Sequence, residues 1–101
     1  MLRREWGGAC VITARGDYDT DSITPLATAL RNAITTYPKV VLDASGVTFA
    51  DSAFLNLLVL THRAGAFRLV SPSPQVRRIC EITGLDTLLE IHPTVEDAAL
   101  S

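Results

Sequence analysis

Apolar positions along the chain change repeatedly between the spacing of strands and the spacing of helices. Residues 9–14 predict a strand rich in β-branched side chains, and the segment before Gly7-Gly8 can pair with it as a hairpin. Residues 39–43 contain the continuous apolar run Val40-Val41-Leu42, which is typical of a parallel strand covered on both faces. Residues 67–70 predict another buried strand. Residues 88–91 predict a last short strand, so we expect a sheet of about five strands.

Helical spacing fills the intervals between these strands. The first helix is expected to have Thr24 as its N-cap and Pro25 at its first position, where a missing N–H costs nothing. It should end at Tyr37-Pro38, because the residue before a proline is disfavoured in helical geometry. A loop over residues 44–50 then leads to a second helix, which ends at Gly65.

Two more helices complete the predicted element order. The third begins after the turn Ser71-Pro72-Ser73-Pro74 and ends at Gly84, a residue type favoured at helix C-termini. The last begins at Thr94. The order β-β-α-β-α-β-α-β-α indicates an α/β domain over residues 1–101, with a mixed, mostly parallel sheet and right-handed crossovers.

Composition narrows the classes of function. The chain has 101 residues, 48% hydrophobic and 20% charged, which suits one compact domain with a real core. Its net charge is −2 and its basic residues cluster only at Arg3-Arg4 and Arg77-Arg78, so nucleic acid is not an expected partner.

Arg63 closes the longest apolar stretch before it could cross a bilayer, and the first residues lack a signal-peptide core. We therefore expect a cytoplasmic protein that does not bind membranes. Cys10 and Cys80 have no metal or redox spacing and predict buried, reduced thiols, so we expect neither a metal nor another cofactor.

The pair Asp51-Ser52 places a carboxylate and a hydroxyl where a buried strand gives way to a helix. As a catalytic nucleophile, Ser52 would need a neighbouring base, but the two histidines, His62 and His92, are poorly placed for that role and no nucleophile elbow surrounds it. We therefore expect no enzyme activity. Asp51 or Ser52 suits a structural N-cap, and a phosphate on Ser52 would be tolerated by the free N–H groups of a helix start. The residues alone leave capping and phosphorylation open.

A partner surface is expected beside this pair. If Leu58 and its helical neighbours face the sheet, then Phe54, Leu57 and Thr61 form an adjoining apolar stripe that a small domain would not fully cover. The alternative is that other helices cover both stripes. Acidic residues in the turn at residues 17–21 should open at the same edge of the sheet, where they either bind a partner or only satisfy their own turn.

Three segments in this order resemble STAS domains, specifically those of bacterial anti-sigma factor antagonists. Residues 40–55, which include Asp51-Ser52, resemble the phosphorylation-site segment of that family. Gly16-Asp17-Tyr18-Asp19 resembles its Gly-Glu-Leu-Asp turn, and residues 73–79 followed by Thr83-Gly84-Leu85 resemble its third-helix segment. The resemblance runs from about Cys10 to Leu100.

This resemblance implies a regulatory cycle. The unphosphorylated antagonist binds an anti-sigma factor that is also a serine kinase, the kinase phosphorylates it with ATP, and the phosphorylated form is released until a phosphatase restores it. By this resemblance Ser52 is the phosphoacceptor, and Asp19 is the aspartate of the nearby turn. The expected partner-binding residues are Asp19, Asp51, Ser52, Ala53, Phe54, Leu57 and Thr61.

Two residues depart from the family pattern. Ala53 and Phe54 stand where the family usually has Ser or Thr followed by Gly, so a bulky ring is expected where a kinase would approach the hydroxyl. Some STAS domains are never phosphorylated and serve as constitutive adaptors, for instance beside lipid transporters. That role is the alternative.

Overall fold

Five strands form one mixed sheet in a computed structural model that describes residues 2–101. Their order in the sheet follows the chain; β1 is antiparallel to β2 and the other pairs are parallel, which confirms the predicted sheet. The strands are β1 Leu2–Trp6, β2 Ala9–Tyr18, β3 Val40–Ala50, β4 Phe67–Val70 and β5 Glu90–His92. The helices are α1 Thr24–Thr36, α2 Ser52–Ala64, α3 Pro74–Thr83, α4 Leu85–Leu88 and α5 Val95–Leu100.

The sheet separates two apolar clusters. The larger one lies under α1, α2 and α3 and includes Ile12, Leu42 and Leu69 from the three central strands. The smaller one lies on the opposite face, where Val11 and Val41 pack with Ala98 of α5. Strands covered on both faces require continuous apolar runs, which is the pattern that residues 40–42 show. Cys10 and Cys80 are free and buried, as expected.

The predicted loop at residues 44–50 is wrong, because β3 continues through it to Ala50. The outer half of β3, residues 44–50, pairs only with β2. This pairing runs from Arg15 opposite Gly46 to Tyr18 opposite Ala50 and shifts register twice. Ser45-Gly46 has the composition of a turn, but hydrogen bonds to β2 hold this segment extended. The segment that leads to Ser52 is therefore a strand anchored to β2.

Two predicted boundaries also move. Thr24 is the first residue of α1 rather than its cap; Ile23 precedes it with φ −74° and ψ −23°, so helical geometry begins one residue earlier and no side chain caps the helix. The last strand starts at Glu90 instead of residue 88, because a one-turn helix, α4, occupies Leu85–Leu88. Gly84 does end α3, in the left-handed conformation.

Candidate functional site

The turn after β2 and the start of α2 lie at one edge of the sheet. Tyr18 pairs with Ala50 at the ends of β2 and β3, and the Asp51 N–H donates to the Tyr18 carbonyl at 3.3 Å. Asp19 and Ser52 each follow this junction by one or two residues. The predicted convergence of the two segments is thus built by backbone pairing.

Asp51, not Ser52, caps α2. Its Oδ1 accepts a hydrogen bond from the Ala53 N–H at 2.8 Å, and its backbone is extended, as an N-cap requires. Ser52 is the first helical residue and its side chain is exposed. The hydroxyl is therefore presented to solvent at a helix N-terminus while its neighbour does the capping.

Asp19 organises the turn beside this hydroxyl. Its Oδ1 accepts from the backbone N–H groups of Asp21 and Ser22, both at 2.9 Å, and from Ser22 Oγ at 3.0 Å. The hydrogen bond from the Ser22 side chain, with help from the two backbone N–H groups, lowers the pKa of the Asp19 carboxyl below its ordinary value. Asp17 accepts instead from Thr48 Oγ1 of β3, which ties the turn to the outer half of that strand.

The predicted exposure of the Phe54-Leu57-Thr61 stripe is wrong for two of its three members. Phe54 is completely buried, with its ring centroid 5.7 Å from that of Tyr18, and Thr61 is also buried. Leu57 is half-buried against the core. The helix is rotated so that Phe54 and Leu58 face the sheet together, because a junction at Tyr18 leaves an apolar space that the ring fills.

The burial of Phe54 also overturns an expectation about access. An aromatic ring next to the acceptor was expected to stand where a kinase approaches, but the ring points into the core. Ala53, the other departure, is half-buried and its N–H is held by Asp51. Ser52 thus remains approachable.

Two exposed apolar side chains were missed by the sequence reasoning. Phe49, at 47% exposure on the outer half of β3, lies just before Asp51-Ser52, and Leu60 of α2 is 52% exposed. Phe49 was hidden by the assignment of its segment to a loop. If the segment had been assigned as a strand, the alternation of its side chains between the two faces would have raised the question of which face Phe49 occupies.

The histidines are not gathered at Ser52. His62 lies ten residues further along α2, about 15 Å at the helical rise, and His92 lies on β5, where its Nε2 is 3.6 Å from a Glu90 carboxylate oxygen. Within residues 2–101 no three His, Cys, Asp or Glu side chains are grouped so that they could hold a metal ion. No helix of this described part of the chain has the length and apolarity needed to span a membrane.

Comparison with known proteins identifies relatives of this arrangement. Residues 1–90 match the model of a domain family described as Mlab, STAS domain. A Thermotoga neapolitana protein named as an anti-sigma factor antagonist TM1081 homolog is 36% identical over 67 residues, which cover 61% of this chain and 59% of that protein. The chain thus spans less than two thirds of the length of the curated relatives it matches.

Solved structures have the same fold. The crystal structure of an anti-sigma factor antagonist from Mycobacterium paratuberculosis matches with a TM-score of 0.88 and 29% identity, over 98% of this chain and 89% of that one. The phosphorylated form of the Bacillus cell fate determinant SpoIIAA matches with a TM-score of 0.71 and 21% identity, over 96% and 94% of the two chains. The second likeness shows the fold alone. Together, the matches confirm the resemblance to STAS domains.

Proposed function

Because the chain belongs to the STAS domain family, we propose that it is an anti-sigma factor antagonist switched by phosphorylation of Ser52. In this proposal the unphosphorylated chain binds an anti-sigma factor serine kinase and so releases a sigma factor for transcription. The kinase transfers the γ-phosphoryl group of ATP to Ser52 Oγ, which loses its proton, and ADP leaves. A phosphatase later hydrolyses the ester with water. Such a cycle consumes ATP and belongs in the cytoplasm.

The exposed Ser52 hydroxyl at the start of α2 is the observation that carries the proposal. Since Asp51 caps the helix through Ala53, Ser52 can be modified without loss of the cap. A phosphate adds roughly −1.5 to −2 charges, and the partial positive charge of a helix N-terminus favours an anion there. The fold should therefore survive the modification while the surface changes.

The surroundings of Ser52 explain why a phosphate would release a partner. Asp19 and Asp51 already make this edge acidic, so the added charge increases the repulsion of an acidic partner group. It also increases the free-energy cost of desolvating the interface. We place Asp19, Asp51, Ser52, Ala53 and Leu57 in the contact surface. Phe54 and Thr61 support it from beneath, because both are buried.

The named relatives support this assignment. The Thermotoga and Mycobacterium proteins carry the name anti-sigma factor antagonist, and the Bacillus protein was solved in a phosphorylated form. Their names describe those proteins. For this chain, they add to the proposal that rests on Ser52.

A constitutive adaptor is the second candidate, and two observations favour it. Ala53 removes the second hydroxyl usual at this motif, and the matching family model is described as Mlab rather than as an antagonist. An adaptor would use the same edge without phosphate. Its interface should then be insensitive to charge at Ser52.

Phosphate mapping and charge substitution distinguish the two roles. The partner is recovered by affinity purification, ATP is added, and phosphate is located by mass spectrometry; we expect it on Ser52 and expect Ser52→Ala to abolish it without loss of binding. Ser52→Asp should weaken partner binding by about tenfold. The matched control is Asn32→Asp, which adds the same charge at an exposed position in the C-terminal half of α1. Full binding by the Ser52→Asp variant, with no phosphate on wild type, would establish the adaptor instead.

A further inference from the structure

A shallow apolar groove lies between α1 and α2, away from Ser52. Its walls are Ala27, Arg31 and Ile34 of α1 and Leu57, Leu60 and Ala64 of α2, which are spaced one and two helical turns apart on each helix. Both helices follow a parallel strand of the same sheet, so the groove runs along their common direction. A rod-shaped ligand fits that geometry.

The polar side chain on the floor of the groove already has a hydrogen-bond partner within the chain. Thr61 is buried there, and its hydroxyl donates to the Leu57 carbonyl at 2.8 Å. Leu60, on the rim, is 52% exposed although it is a large apolar residue. The groove volume is about 140 Å³. A cavity of roughly that size holds a benzene ring, so one large apolar side chain would fill the groove.

Arg31 provides the only charge in the lining. It is exposed, and no carboxylate among residues 2–101 forms an ion pair with its guanidinium. An unpaired guanidinium beside an apolar groove is complementary to a ligand that presents a carboxylate next to an apolar side chain.

We infer that this groove docks an amphipathic helix of a partner protein, with one large apolar side chain between Leu57 and Leu60 and an acidic residue on Arg31. Helices recognise such grooves through apolar anchors one or two turns apart, and a neighbouring charge sets their orientation. The inference does not rest on the phosphorylation of Ser52, because Ser52 lies at the N-terminus of α2 and lines no part of the groove. Leu57 belongs both to the groove and to the contact surface proposed above, so the two surfaces adjoin.

Two synthetic amphipathic peptides test the inference directly on the full chain. They share one leucine stripe and differ only in the flanking residues, which are glutamates in one and lysines in the other. We expect the glutamate peptide to bind about three- to fivefold more tightly by fluorescence anisotropy. Amide NMR shifts should move at Ala27, Ile34, Leu57, Leu60 and Ala64. Arg31→Glu should reverse the preference, whereas Arg78→Glu, on the exposed face of α3, should not.

The apolar anchor has its own matched pair of variants. Leu60→Ser should weaken the glutamate peptide about tenfold, and Leu88→Ser, at a similarly exposed leucine of α4, should leave it unchanged. Phosphate on Ser52 and peptide binding in the groove are measured separately, so failure of the phosphorylation switch and failure of the groove are separate results.

Three outcomes would overturn the inference. The first is equal affinity for both peptides or shifts outside the groove. The second is a concentration-dependent dimer of the chain that Leu60→Ser abolishes, which would identify a second copy as the occupant. The third is displacement of the peptide by decanoate, with the same groove shifts, which would identify an acyl chain.

Discussion

Val40, Val41 and Leu42 begin β3 with a strand on either side, whereas the residues beyond Asp43 have a neighbour on one side only. The first three are fully buried and pair with both β2 and β4. Pairing with β4 stops at Asp43, and from there β3 follows β2 alone through two register shifts. Ser45, Thr48 and Phe49 are exposed on this outer half. One strand thus changes from continuous burial to alternate burial, with some side chains presented to solvent, at the point where its second neighbour ends.

Truncation of a side chain to alanine should lower the stability of the fold much more in the first half of β3 than in its outer half. Leu42→Ala removes a buried side chain between two helix-covered strands and should lower the free energy of unfolding by about 2–5 kcal/mol. Phe49→Ala, on the outer half, should cost about 1 kcal/mol or less. Urea unfolding measures both. Equal losses would mean that the Phe49 side chain is buried in the core like that of Leu42.

The same contrast predicts which residue at the start of α2 stabilises the helix. Asp51→Ala removes the hydrogen bond to the Ala53 N–H and should cost about 1 kcal/mol. Ser52→Ala should change stability by less than about 0.5 kcal/mol, since its side chain is exposed. Asp51→Asn, which keeps an acceptor oxygen, is the control for geometry. A larger loss for Ser52→Ala in thermal unfolding would reassign the cap.

The smallest effect is expected at acid pH in the turn next to the outer half. Because the pKa of Asp19 is lowered in the folded chain, its carboxylate contributes stability above its unfolded pKa and loses that contribution as the pH falls through the folded value. Asp19→Asn should therefore flatten the loss of stability below about pH 4. Urea unfolding across that range tests this, with Asp21→Asn as the control. An unchanged pH profile in Asp19→Asn would show that its hydrogen bonds to Ser22 do not persist in solution.

Secondary structure could be predicted from the sequence where it depends on the local pattern of residues. The prediction failed where contacts with distant segments determine the structure. The apolar run at residues 40–42 predicts a strand because burial on both faces requires such a run. Ser45-Gly46 has turn composition, and only its pairing with β2, about thirty residues earlier, keeps it extended. Propensity carries no information about such a pairing.

The rotation of α2 was the second failure, for a related reason. Residues 54–60 are apolar apart from Asn56, so two inward faces fit the helical period. The Tyr18 ring selects the one that buries Phe54. The groove at Arg31 and Leu60 is harder still to foresee, because it exists only where α1 and α2 lie side by side. The position of Asp51-Ser52 at a strand-to-helix junction could be predicted from the sequence, because Asp and Ser at the start of a helix are a local signal.

The division of labour between Asp51 and Ser52 has a genetic consequence. Because the cap is held by the aspartate, the codon for the serine is free to change with little penalty to folding. One substitution of this serine by alanine would remove the proposed phosphoacceptor and leave a folded binding domain behind. If the proposed switch operates, lineages can therefore exchange a regulated form for a constitutive one by one amino-acid substitution, without passing through an unstable intermediate.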